Sequence, residues 1–143
     1  MEDVFQKLIL MIRAYYPVLY LHSYEYYRTK QKIKGIVELL RREGKKVNYY
    51  QWDCVYGLVQ ILPDKTEKRI ERMQNPLEVL AYILNSKKSG EKNIFVLDDI
   101  NNHIERDEVK LMFRKIAEAT NNNTHAIILS SIYRLPAELE KYI

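Results

Sequence analysis

The sequence predicts an α/β domain: a parallel sheet with helices packed on both of its faces. Short apolar runs alternate with amphipathic stretches of helical period along the chain, which is the pattern of βαβ units. The apolar runs are too short to be helices and read as strands buried on both faces. At 143 residues, 47% hydrophobic and 29% charged, the chain is long enough for one domain with a real core and too short for two of ordinary size.

Taken in order, residues 3–15 carry Phe5, Leu8, Ile9 and Ile12 at helical spacing. Pro17 should stop that helix, because the residue before a proline is pushed out of the α region. Val18-Leu19-Tyr20-Leu21 follows as a first strand. Residues 24–43 return to the helical period through Ile33, Ile36, Val37 and Leu40, and Gly44 stands where a left-handed terminator belongs. Val47–Trp52 reads as a second strand, and Gly57–Ile61 as an extra strand or hairpin arm. Residues 63–75 read as a charged surface connection. Asn75-Pro76 is a helix start, a side-chain cap followed by a residue whose missing N–H does no harm. Asn93–Asp99 is a third apolar strand ending in two acids, residues 107–120 a helix capped by Asp107 and ended by Asn121-Asn122-Asn123, and Ala126–Ser131 a fourth strand. A short helix is expected after Leu135-Pro136.

The net charge of +4 is a mild excess, and Lys and Arg alternate with Glu and Asp almost everywhere. Solvated surface explains that pattern better than a nucleic-acid face. A basic face, if one exists, would use Lys30, Lys32, Lys34, Arg41 and Arg42 on the helix after the first strand. Cys54 is the only cysteine, so the chain has no internal disulfide and no cysteine-rich metal cluster, which fits a reducing compartment. Its place at a strand end suggests a packed, inert thiol. The acidic start Met1-Glu2-Asp3 is not a signal peptide, and no apolar stretch approaches the roughly 20 residues that span a bilayer. The twelve tyrosines, beside many Lys, Asn and Ile, read as compositional bias.

Four apolar residues followed by Asp98-Asp99 have the Walker B shape, in which an acid at a strand's C-terminal edge helps hold a magnesium ion. The alternative is that the two aspartates cap a loop or the following helix. A working nucleotide site also needs G-x-x-x-x-G-K-[ST] after the first strand, because small residues let consecutive backbone N–H groups point at phosphate. What stands there is Ser23-Tyr24-Glu25-Tyr26-Tyr27-Arg28-Thr29, with no glycine, three tyrosines and a carboxylate. Gly35, Gly44, Gly57 and Gly90 cannot build the loop elsewhere. Ser130 sits where such folds carry a polar sensor, although a serine after a strand is ordinarily a turn residue. His22, His103 and His125 lack metal-ligand spacing. Asp98, Asp99 and Glu25 form a candidate acidic metal site for a phosphoesterase or nuclease.

These segments resemble the N-terminal domain of the AAA-type ATPases first catalogued as hypothetical plastid reading frames and found also in cyanobacteria and other bacteria. The resemblance rests on Arg13-Ala14-Tyr15-Tyr16-Pro17, Ser23-Tyr24-Glu25, Tyr50-Gln51-Trp52-Asp53 with Gly57-Leu58, Asn75-Pro76-Leu77-Glu78-Val79-Leu80, Ile94–Asp99, and Ile128–Ser131 with Leu135–Glu140. It implies a P-loop NTPase topology of the RecA/AAA kind, sheet order 5-1-4-3-2, with the phosphate-binding loop missing and strand five absent. It further implies a non-catalytic regulatory or assembly domain with no cofactor of its own, either excised from a parent whose AAA domain binds ATP and magnesium or a stand-alone relative. The partners would be that AAA domain and neighbouring subunits, in the cytoplasm or a plastid stroma. An unpaired first strand would invite self-association through its edge.

Overall fold

The computed structural model describes residues 2–70, 73–87, 91–119 and 123–136. Helix α1 (Glu2–Arg13) leads to β1 (Val18–His22), α2 (Tyr26–Arg42), β2 (Val47–Asp53), β3 (Gly57–Ile61) and β4 (Glu67–Ile70). Then come α3 (Pro76–Ser86), β5 (Lys92–Asp98), a 3-10 turn at Ile100–His103, α4 (Asp107–Glu118) and β6 (Thr124–Ser130). One six-stranded sheet runs β1-β6-β5-β2-β3-β4. The first four strands of that order are parallel, and β3 and β4 add an antiparallel meander beside β2. The parallel part therefore has the order first-fourth-third-second that the resemblance implied.

Alternation along the central strands divides the core in two. Phe95, Leu97, Ala126 and Ile128 point to the face covered by Val79, Leu80 and Ile83 of α3 and Val109, Phe113 and Ile116 of α4. Ile94, Val96, Ile127 and Leu129 point to the other, under Leu8 and Ile12 of α1 and Ile33, Ile36, Val37 and Leu40 of α2. Tyr50 stacks on Phe95 with ring centroids 4.4 Å apart and planes within 7° of parallel. β1 has no strand on its outer side among the described residues, yet Val18 and Leu19 are only 0% and 4% exposed.

α1 is closed before Pro17 is reached: Tyr15 adopts a left-handed φ of 66°, and the Tyr16 N–H bonds back to the Met11 carbonyl at 3.1 Å. Gly44, with φ 88°, ends α2 as its sequence position suggested. Asn75 caps α3 by accepting from the Leu77 N–H at 3.0 Å. Asp107, expected as the cap of α4, is instead its first residue; Arg106 holds the cap position without a side-chain bond. The 63–75 connection contains β4, a strand made of charged residues that propensity does not reveal. Cys54 is exposed, because the Asp53 carboxylate accepts from the Val55 and Tyr56 N–H groups at 2.8 and 2.7 Å and folds the β2–β3 turn outward. Asn121, Asn122 and the helix expected after Pro136 lie outside the described residues.

Candidate functional site

The parallel strands β1, β6 and β5 end side by side, so His22, Ser130 and Asp98 reach one edge of the sheet with the turns that follow them. The turn from β1 to α2 is three residues long, Ser23-Tyr24-Glu25. Two of its three amides are engaged within the fold. Ser23 N–H donates to the Ser130 carbonyl at 2.9 Å, and Glu25 N–H donates to Ser23 Oγ at 3.1 Å. Ser23 Oγ also meets Thr29 Oγ1 at 2.9 Å. Tyr24 and Tyr27 are 79% and 78% exposed, while Glu25 pairs across the first turn of α2 with Arg28 at 3.5 Å. Thr29 is buried.

Tyr26, the first residue of α2, crosses the edge. Its hydroxyl donates to Asp99 Oδ1 at 2.5 Å and accepts from the Ser131 N–H at 2.9 Å. One helical turn on, Lys30 forms an ion pair with Asp98 in which both side chains are mostly buried. Burial pushes the Asp98 carboxyl above its usual range; the bond and charge of Lys30 oppose that rise, and Asp53 and Asp99 add to it. Asp99 has left-handed backbone, φ 57°, which turns its carboxylate back toward α2. The two aspartates are thus held by side chains of α2, and Asp99 holds the N-cap position of the 3-10 turn without a side-chain bond to it.

Ser130 is buried, and its hydroxyl bonds only to the backbone of Ile132, donating to the carbonyl at 3.0 Å and accepting from the N–H at 3.1 Å. It closes the end of β6, and the serine that meets Tyr26 is its neighbour. Glu25 does not join the aspartates: among the described residues no group of three His, Cys, Asp or Glu side chains is placed to hold a metal ion. Asp98 Oδ1 is buried without a partner, but a magnesium ion there would sit beside the Lys30 ammonium with no set of three ligands placed to share it among the described residues, a poor fit for the ion. Nor do the five basic residues of α2 make one face. Lys30 is committed to Asp98, Lys32 lies 5.0 Å from the Phe5 ring centre, and Arg41 binds the Val47 carbonyl at 2.8 and 3.1 Å. Sequence reasoning missed the joint role of Tyr26 and Lys30. Their four-residue spacing, which puts them on one helix face, was the available signal.

The family model for "SpoVK-like AAA ATPase, N-terminal domain" matches residues 4–143. The chain belongs to that family. Its fold, a mixed α/β domain with a six-stranded sheet between helices, agrees. A relative, the "Uncharacterized AAA domain-containing protein ycf46" of Guillardia theta, is 26% identical over 136 residues, which is 94% of this chain and 25% of the relative. The chain therefore spans about a quarter of that relative's length. No solved structure matches it. Among the described residues no helix is long and apolar enough to cross a membrane.

Proposed function

We propose that this domain is a non-catalytic regulatory and assembly module of an AAA ATPase, in which side chains of α2 replace the contacts a nucleotide would make. The observation that carries the reading is the Tyr26 hydroxyl, which sits between Asp99 and the Ser131 amide. A phosphate oxygen would compete for that amide and would be repelled by Asp99. The three-residue turn ahead of α2 supports the same reading, because it has no glycine and its Ser23 and Glu25 amides are spent internally. Residues 23–29 are accordingly a degenerate phosphate-loop position and Asp98-Asp99 a Walker B remnant. In this reading ATP and magnesium belong to the parent protein's AAA domain, and this domain supplies an interface to it or to neighbouring subunits, whose equilibrium nucleotide turnover biases. The parent would work in the cytoplasm or a plastid stroma.

Calorimetry with magnesium-ATP tests this directly. No binding heat is expected from the domain; saturable micromolar binding that disappears in Asp98→Ala would overturn the reading.

A further inference from the structure

The β3–β4 hairpin overhangs the sheet beyond the cover of α2, and the space beneath it is a two-lobed cleft. One lobe, about 420 Å³, lies between Tyr27 and Lys34 of α2 and Lys65 and Glu67 of the hairpin. The other, about 270 Å³, continues past Arg69 toward the β2–β3 turn. Lys30, Gln51 and Glu67 line both, so the lobes adjoin. Strand register explains the placement. Gln51, Val59 and Arg69 form one cross-strand row, and Tyr49, Ile61 and Glu67 form the row two residues away. Residues two apart on a strand share a face. Glu67 and Arg69 therefore project on the α1–α2 side, past the edge of the packed helix.

The charges there are not matched internally. Lys30 is held by Asp98, and the Asp53 carboxylate is used by the β2–β3 turn. The side chains of Lys34, Lys65 and Arg69 make no ion pair or hydrogen bond among the described residues, and neither does Glu67. Three cations facing the Glu67 and Asp53 carboxylates leave a small net positive charge that favours an anion, and Glu67 disfavours one with no hydrogen-bond donor to offer. We propose that this cleft binds a small phosphate ester whose other end donates hydrogen bonds, with Lys34, Lys65 and Arg69 on the phosphate and Glu67 on the donor. Lysine and arginine suit phosphate oxygens as a point charge and a planar fork respectively, and the volume is that of a small-ligand site. The cleft lies beside the β1–α2 turn and does not depend on what that turn binds.

The test compares two probes, inorganic phosphate and O-phosphoethanolamine, titrated without magnesium and followed by amide chemical shifts. Phosphoethanolamine should bind more tightly than inorganic phosphate, with shifts at Lys34, Lys65 and Arg69. The Lys34→Ala/Arg69→Ala variant should weaken both about tenfold or more, since it removes charge-assisted contacts. Glu67→Gln should move the probes in opposite directions, strengthening inorganic phosphate and weakening phosphoethanolamine. All of these side chains are at the surface, and circular dichroism checks that the variants fold. Absence of binding at millimolar probe, binding indifferent to the double variant, or a Glu67→Gln effect of the same sign on both probes would each overturn the proposal.

Discussion

Lys92 Nζ lies 2.9 Å from His125 Nε2 at the end of the sheet opposite the candidate site, and both residues are buried. The other ring nitrogen, Nδ1, is 2.7 Å from the Tyr16 carbonyl, an atom that can only accept. Nδ1 therefore carries the proton, and Nε2 accepts from Lys92. The imidazole is neutral in the fold and ties the α1–β1 connection to β5 and β6. Burial, then the charge of Lys92, hold its pKa down at about 4, from an ordinary 6.5. Burial likewise holds Lys92 down at about 8.

The sign of the pH dependence follows. A group whose folded pKa is depressed takes up its proton more readily when unfolded, so stability falls with pH between the two values. For His125 the window runs from about pH 6.5 down to about 4. At about 1.4 kcal/mol per pH unit, the loss across it is ~3 kcal/mol. Urea midpoints measured across that window should fall in the native protein, and the His125→Gln variant should show a flatter acid limb. Equal slopes in the two proteins would contradict the assignment.

Tyr26→Phe removes one hydroxyl and strands two partners, Asp99 and the Ser131 N–H. Leaving part-buried polar groups unsatisfied costs about 1–3 kcal/mol, and chemical denaturation should show a loss in that range. The variant should still not acquire magnesium-ATP binding, because it restores no glycine to the turn and leaves the Ser23 and Glu25 amides engaged.

How far the sequence reached depends on the kind of interaction. The parallel strands were legible because β5 and β6 are continuous apolar runs, and α2 was legible from one apolar stripe ended by Gly44. β4 was not, because Glu67-Lys68-Arg69-Ile70 becomes a strand only by pairing with β3. The burial of Cys54 was misjudged because an Asx turn at Asp53 redirects the chain, a local bond that strand propensity does not register. At the site, Asp98, Asp99 and the missing phosphate loop could be read from residue types. The contacts of Tyr26 with Asp99 and of Lys30 with Asp98 span 73 and 68 residues, and only the packing of α2 against the sheet edge creates them.

The Lys30–Asp98 pair should be asymmetric under mutation. Removing one partner of a mostly buried pair leaves an uncompensated charge, at a cost of about 3–5 kcal/mol, while replacing both with apolar residues is often neutral. Side-chain exposures of 21% and 13% place this pair near that regime, with some relief for Lys30 from solvent. Lys30→Met should therefore destabilise more than Lys30→Met combined with Asp98→Leu. A double variant as unstable as the sum of its two single variants would show that the charges do not interact.

Finally, Tyr20 and Asn101 together hold the segment that follows β6. Asn101 is fully buried, and its Nδ2 donates to the Tyr20 hydroxyl at 2.8 Å and to the Ile132 carbonyl at 2.9 Å. The Tyr20 hydroxyl donates in turn to the same carbonyl at 2.6 Å and accepts from the Arg134 N–H at 3.1 Å. Residues 132–134 are otherwise exposed, so these bonds, with the tilted contact between the Tyr20 and Tyr133 rings at 5.0 Å, set how often the segment opens. Local opening of this kind is what amide exchange measures. Tyr20→Phe keeps the ring contact and removes the acceptor of the Arg134 N–H. Exchange at Arg134 should accelerate about tenfold, a factor equivalent to one ordinary hydrogen bond, while amides of β5 and β6 remain unchanged. Acceleration spread evenly over the sheet would instead mean that Tyr20 supports the fold as a whole and does not pin this segment.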